Sequence, residues 1–139
     1  MKDSSASLMK KGAKAALAFV VSMTLFLNAV HASSAVTLES PNPQSPGYFG
    51  QSVAISGTTV VVGAFQETAA GQGEAGHAYT FDATTGISIA TLTSPYAQSG
   101  GHFGVSVAIS EGDPIVVVGA PLETASGQTI AGHAYLFRI

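Results

Sequence analysis

The sequence predicts an all-β protein in which one antiparallel sheet unit occurs twice. Residues 49–56 return as 103–110, an offset of 54, and the Gly-His-Ala-Tyr at 76–79 returns at 132–135, an offset of 56. The first copy contains four short β patterns separated by Gly, Pro, Ser and Thr, and the second contains the first three of them. Self-similarity at this period is typical of stacked supersecondary units, so the repeat indicates an architecture rather than a reaction.

The first two β patterns of the unit predict buried, closely stacked sheets. Along residues 49–56 bulky side chains such as Val53 and Ile55 share one face, and Gly, Ser and Ala share the other. Neither face carries a charge, so we expect sheets on both sides, with the large face of one unit nested in the small face of the next. The second pattern, residues 60–65, is a continuous apolar run typical of a strand buried on both faces.

The remaining patterns complete a four-stranded unit. Residues 76–81 alternate again, and residues 82–86 read as a turn in which Gly86 supplies a positive φ. The fourth pattern, residues 87–93, ends at a Ser-Pro pair. Residues 36–40 match this fourth pattern, so we expect a stray fourth strand there.

The connections divide between the two ends of the unit. In an up-and-down sheet, alternate connections emerge at alternate ends. The loops at 41–47 and 95–101 therefore share one end with the longer loops at 66–75 and 122–131, while short hairpins occupy the other. Long loops gathered at one end predict that this end is the working surface.

Several of these residues resemble a known repeat. The resemblance lies in Phe49-Gly50 with Gly63-Ala64-Phe65, and in Phe103-Gly104 with Gly119-Ala120-Pro121. Both sets are similar to FG-GAP repeats, which are known from integrin α chains and from secreted microbial proteins. The resemblance covers residues 36–139 and implies β-propeller-type blades of four antiparallel strands, one complete (about 49–94) and most of a second (about 103–139). It also implies that the long-loop face takes the ligand.

Neither copy of the repeat contains the calcium-binding loop that is common in integrin blades. Integrin blades often place Asp-x-Asp-x-Asp-Gly between the first two strands, where this chain has Gly57 and Thr58 in one copy and Glu111 and Asp113 in the other. Calcium takes six to eight oxygen ligands, usually several of them carboxylates. We therefore predict solvated polar turns and no metal or other cofactor, with calcium at Glu111 and Asp113 as the alternative.

The number of units leaves three possibilities open. Propellers close with about four to eight blades, and this sequence contains two copies of the unit. The chain is a partial reading frame, or a fraction of a ring that self-associates to complete a propeller, or a stand-alone pair of blades.

The first 35 residues predict a secretory signal peptide. Lys2, Lys10, Lys11 and Lys14 precede an apolar run, and small residues allow cleavage after Ala32 or Ala35. The uncharged run from 15 to 30 is shorter than the roughly 20 residues of a membrane span, although a retained anchor is the alternative. We therefore expect a secreted or cell-surface protein.

Charge excludes several partners. Beyond Ala35 the chain has seven acidic residues and one basic residue, Arg138, a net charge of −6. Nucleic-acid binding is excluded because its affinity comes from Lys and Arg, and anionic membrane surfaces are disfavoured for the same reason. The chain has no cysteine, so its stability comes from strand pairing and apolar packing.

The long loops carry the candidate ligand-binding residues. A Glu-Thr-Ala-x-Gly-Gln motif occurs in both, and the residues concerned are Glu67, Thr68, Gln72, Glu123, Thr124 and Gln128. The alternative is loop architecture, with Glu or Thr side chains bonding backbone amides. The two glutamates lie one unit apart, which disfavours a glycosidase pair. His77 and His133 have no nearby ligand partner in the strand, so we expect structural histidines bonded to a loop.

These observations favour a non-enzymatic module that contacts an extracellular protein or glycan, as in adhesion. No nucleophile–His–acid set and no phosphate loop is present. The alternatives are a fragment of a larger propeller enzyme, a hydrolase or lyase, and a purely structural surface repeat.

Overall fold

Seven antiparallel strands make up the regular structure of residues 33–139, the part of the chain that the computed structural model describes. Their bounds are β1 Ser52–Ser56, β2 Thr59–Ala64, β3 His77–Asp82, β4 Ser88–Thr93, β5 Ser106–Ile109, β6 Ile115–Ala120 and β7 His133–Arg138. They form one sheet in the order β1-β2-β3-β4 (blade one) and another in the order β5-β6-β7 (blade two). The all-β prediction, with one complete blade and three strands of a second, is confirmed.

The predicted amino-terminal signal peptide lies almost entirely outside the described residues. Of the predicted signal peptide at 1–35, all but the last three residues lie outside the described part of the chain, and so does the alternative membrane anchor. Within the described residues no helix has the length and apolar character needed to cross a membrane.

The turns follow the chemistry that the sequence predicts. Ser56 pairs with Thr59 across a two-residue hairpin, whose Gly57 has a φ of +57°. In the turn after β3, the Asp82 carboxylate accepts hydrogen bonds from the Thr84 and Thr85 amides at 2.9 and 2.8 Å. These bonds, the one from the Thr85 amide first, hold the pKa of Asp82 below its usual value. Gly86 closes this turn with the predicted positive φ, +73°.

The small face of blade one packs on the large face of blade two, as the alternating pattern predicts. From blade one this core takes Val61, Ala78 and Leu92, and from blade two it takes Phe103, Val116, Val118 and Ala120. All seven are buried, and full burial of such side chains contributes about 1.5–3 kcal/mol for each large one. The two sheets are therefore held together by a shared apolar core.

The large face of blade one is only partly covered. Tyr79 and Phe81 are buried there with Phe49 and Leu38 beside them, but two β1 side chains, Val53 and Ile55, are each 65% exposed. The expectation that both faces of this strand are shielded is therefore wrong on its large face.

Residues 36–40 do not form the expected strand. They have no regular secondary structure, because no neighbouring strand within the described residues pairs with their backbone. Leu38 nevertheless packs on the large face of blade one. The segment thus contributes a side chain to the core without taking part in a sheet.

Glycines allow the two blades to meet backbone to backbone. A Cβ on Gly63 would overlap the carbonyl oxygen of Gly104, and one on Gly76 would overlap that of Phe103. The Ser52 hydroxyl donates to the same Gly104 oxygen at 2.7 Å. The backbone of Phe103-Gly104 therefore fits into a depression in blade one that is lined by Ser52, Gly63 and Gly76. We call this depression the socket and the Phe-Gly pair that enters it the plug.

Candidate functional site

The long loops of both blades lie at one end of the sheets, as the strand order requires. Backbone bonds join loops from different units: the Gly100 amide donates to Gly73 oxygen (2.9 Å), and the Phe103 amide donates to Ala75 oxygen (2.9 Å). Each loop is also closed internally, since Ala69 and Gln72 exchange two backbone bonds of 3.1 and 2.9 Å. We call this end the long-loop face, and its loops are held in place by backbone hydrogen bonds.

Glu67 begins the long loop of blade one, and its side chain points into the protein. It is fully buried. The Tyr79 hydroxyl donates to Oε2 at 2.5 Å, His77 Nδ1 lies 3.0 Å from the same oxygen, and the Ser40 hydroxyl donates to Oε1 at 2.5 Å. This carboxylate fastens the loop to β3 and to segment 36–40.

Blade two repeats the histidine and tyrosine contacts but not the serine contact, and Glu123 Oε1 has no hydrogen-bond partner within the described residues. Glu123 is fully buried, accepts a hydrogen bond from the Tyr135 hydroxyl, and has Oε2 2.8 Å from His133 Nδ1. The Ser94 hydroxyl, equivalent to that of Ser40, donates to the Tyr135 hydroxyl at 3.1 Å. The recurrence of the same set in both blades indicates a structural latch, which we call the Glu-His-Tyr latch.

The latch decides two sequence-based interpretations. The prediction that His77 and His133 are strand histidines bonded to a loop is confirmed. The expectation that the glutamates bond backbone amides of their loop is wrong, because glutamines supply those contacts: the Thr68 amide donates to Gln44 Oε1 (2.8 Å) and the Thr124 amide to Gln98 Oε1 (3.0 Å). The sequence already marks the two glutamines as equivalent residues, since each follows a proline by three positions.

The six candidate ligand-binding residues therefore separate into two groups. Glu67 and Glu123 lie in the interior. The other four, Thr68, Gln72, Thr124 and Gln128, are exposed on the long loops. The structure thus leaves hydroxyl and amide groups, but neither carboxylate of the motif, at the long-loop face.

A row of aromatic rings, which sequence reasoning did not single out as a site, crosses the long-loop face. The rings of Tyr48 and Phe65 have centroids 5.3 Å apart, and those of Phe65 and His102 are 5.0 Å apart and edge to face. Tyr48 is 52% exposed, and His102 Nε2 lies 3.4 Å from the Glu74 carboxylate. The sequence indicated this row only through two facts. Tyr48 and His102 occupy equivalent positions in the two repeats, and Phe65 stands where the second repeat has a proline.

The latch raises the pKa of its two tyrosines. Burial, followed by the hydrogen bond to Glu123, raises the pKa of Tyr135 from 10.0 to about 12. The same two causes raise the pKa of Tyr79, with Glu67 as the partner. In both blades the neutral phenol is the form that the folded state stabilises.

A pH dependence follows from the raised pKa of Tyr135. Because the folded pKa lies above the unfolded one, the stability that the phenol provides is complete below pH 10 and is lost as the pH rises towards about 12. We expect the stability advantage of the natural chain over Tyr135→Phe to be constant below pH 10 and to shrink above it. Denaturant unfolding on both sides of pH 10 measures this, with the exposed Tyr48 changed to Phe (Tyr48→Phe) as the control. A difference that stays constant to pH 12 would contradict the latch geometry.

The β5–β6 turn, which carries Glu111 and Asp113, is closed by hydrogen bonds of Ser110. The Ser110 hydroxyl donates to the backbone oxygen of Asp113 at 2.5 Å and accepts from the Ile115 amide at 3.0 Å. Within residues 33–139 no three His, Cys, Asp or Glu side chains come together as a metal site would require.

Comparison with known proteins identifies the family. The FG-GAP repeat model matches residues 35–81 and 88–137, which is more than half of the chain. The fold and this match together define a β-propeller-like module, and the chain belongs to the FG-GAP repeat family. A search of curated proteins found no match.

Proposed function

We propose that the chain is a secreted or cell-surface module, without enzymatic activity, that binds an extracellular protein or glycan through its long-loop face. The observation that carries the proposal is the aromatic row of Tyr48, Phe65 and His102 on loops that backbone hydrogen bonds hold in place. Tyrosine rings offer an apolar face together with a polar edge, a combination favoured at recognition surfaces. Repeats of this family are generally extracellular or at the surface, which agrees with the predicted signal peptide.

The state of the two glutamates supports a binding role over catalysis. A general acid or base has to reach the proton that it transfers, but Glu67 and Glu123 are fully buried and hydrogen-bonded within the latch. Repetition of the same group in both blades is also expected of a structural element. Members of the family are typically non-enzymatic.

The chemistry of the face indicates what it would bind. Its exposed groups are the Tyr48 ring of the aromatic row, the hydroxyls of Thr68 and Thr124, and the amide of Gln72, while Phe65 and His102 are partly buried beside Tyr48. The charge of the chain beyond Ala35 is −6, so neutral sugars and protein surfaces without excess negative charge are favoured partners. Polyanions are disfavoured because like charges repel.

Removal of the aromatic row is the direct test. We expect the double variant Tyr48→Ala/Phe65→Ala to lose binding by at least about tenfold, because aromatic anchors at interface centres often contribute 2 kcal/mol or more. The measurement is a screen of the secreted protein against neutral glycans and extracellular proteins, followed by titration of the hits. Tyr96→Ala is the matched control, since Tyr96 is 64% exposed but stacks on His133 outside the row.

The other outcomes would redirect the proposal. Binding that survives loss of the row but fails in Thr68→Ala/Gln72→Ala would place the contact at the loop tips. A screen without any hit would favour a purely structural surface repeat and would overturn the proposed binding role.

A further inference from the structure

An open socket lies on blade two at the position where blade one receives its neighbour. In blade one, Ser52, Gly63 and Gly76 are covered by the Phe103-Gly104 backbone. Their equivalents in blade two line an open groove of about 350 Å³, whose residues include Ser106, Gly119, Gly132 and Ala134. A Cβ on Gly119 would meet only atoms of Ser106, within its own blade. The socket is therefore built twice and, within residues 33–139, filled once.

The matching plug is also present twice and engaged once. Gly104 is so close to blade one that a Cβ there would overlap the His77 carbonyl oxygen, whereas a Cβ on Gly50 would meet nothing within 4 Å. Val107 and Ile109 of blade two pack into the core between the blades. Their blade-one equivalents, Val53 and Ile55, are 65% exposed.

We propose that a second copy of this chain docks its blade one onto blade two of the first, head to tail, in the way that blade two docks onto blade one within the chain. Phe49-Gly50 of the second copy enters the open socket, and the Ser106 hydroxyl donates to the Gly50 oxygen as Ser52 does to Gly104. Leu136, which is 72% exposed, is covered by the same contact. This inference goes beyond the proposed ligand binding and does not depend on it.

Segment 36–40 supports a second copy as the occupant. It matches residues 90–94 at an offset of 54, and both segments make equivalent polar contacts with the blade that follows them. Gln44 and Gln98 bond the Thr68 and Thr124 backbones in the same way, and Ser40 and Ser94 contact the two latches. Docking would bring segment 36–40 of the second copy beside β7, which within the described residues pairs only with β6. The incoming segment then completes a four-stranded blade.

The contact joins different surfaces on the two partners, so it repeats from copy to copy. Such an interface generates a ring where the rotation closes and a filament where it does not. A ring of about four to eight blades would contain two to four copies of this pair of blades. Closure would also remove the open sheet edge and the exposed apolar side chains that otherwise favour aggregation.

Two arginine variants test the contact from its two sides. Ala134→Arg blocks the socket and Val53→Arg blocks the plug side, and both positions are exposed within one copy, so each variant is expected to fold. With the full chain expressed for export, we expect the natural protein to sediment as a discrete multimer and each variant as a monomer at the same concentration. Thr84→Arg, in the exposed turn after β3, is the matched control and should remain multimeric.

Mixing the variants decides the direction of docking. Ala134→Arg keeps a working plug and Val53→Arg a working socket, so an equimolar mixture should form one-to-one dimers and nothing larger. A natural chain that is monomeric, an Ala134→Arg variant that still assembles, or a mixture that stays monomeric would overturn the proposal. Circular dichroism of each variant verifies folding, and Leu136→Arg replaces Ala134→Arg in the test if that variant is unfolded.

Discussion

Glu67→Ala is expected to lower the free energy of unfolding by about 3–5 kcal/mol, because several buried hydrogen-bonding groups lose their partner at once. The substitution leaves the Tyr79 hydroxyl and the Ser40 hydroxyl without the carboxylate that accepts their hydrogen bonds, and His77 without its partner. Each such group left unpaired in the interior costs about 1–3 kcal/mol. The long loop also loses its attachment to β3, so the whole long-loop face is expected to loosen.

Urea unfolding measures this loss, and related variants separate its causes. Glu67→Gln keeps the shape and one acceptor oxygen, so we expect a loss of about 1–2 kcal/mol. Glu123→Ala should repeat the large effect, although its partner His133 is more exposed than His77, at 27% against 10% of the side chain. Glu39→Ala is the control, because Glu39 is exposed and should change stability by less than about 0.5 kcal/mol. A Glu67→Ala variant of natural stability that has lost ligand binding would contradict the latch and return Glu67 to the site.

The alternating patterns carried enough information to predict the strands. Residues 49–56 and their copy show one bulky and one small face, and burial of such faces dictates strand geometry and the stacking of one blade on the next. The exposure of Val53 and Ile55 could not be predicted, because a strand pattern reports which face prefers burial and not whether another sheet is available to cover it. Residues 36–40 differ from the prediction for the same reason.

The site was less predictable because it is assembled from distant segments. The aromatic row joins Tyr48, Phe65 and His102, which approach only after two loops and a strand end are in place. Glu67 points inward from a loop that has positive φ at Ala70 and Glu74. Such backbone conformations are uncommon for residues other than glycine, and the sequence pattern gives no sign of them.

Gly63→Ala is expected to destabilise the protein by about 3 kcal/mol, at the upper end of the usual cost of overpacking. The φ of Gly63 is not in the left-handed region, so alanine can adopt its backbone conformation. The cost is therefore steric: the added Cβ would overlap the Gly104 carbonyl oxygen, and backbone cannot move aside as a flexible side chain can. The blades would have to separate, which would expose the apolar core between them.

Gly119→Ala supplies the matched comparison, because Gly119 is the equivalent residue of blade two and differs mainly in having no neighbouring blade on it. Its Cβ would meet only the side chain and backbone of Ser106, and that exposed hydroxyl can rotate away, so we expect a loss below about 1 kcal/mol. Both substitutions are best measured in a Val53→Arg background, because that substitution blocks docking of a second copy, whereas an arginine at Ala134 would lie directly opposite Gly119 on the neighbouring strand. Equal losses at the two positions would mean that glycine is required by the strand itself. A large loss at Gly63 alone would establish that the Gly of the repeat exists to admit the Phe-Gly of the next blade.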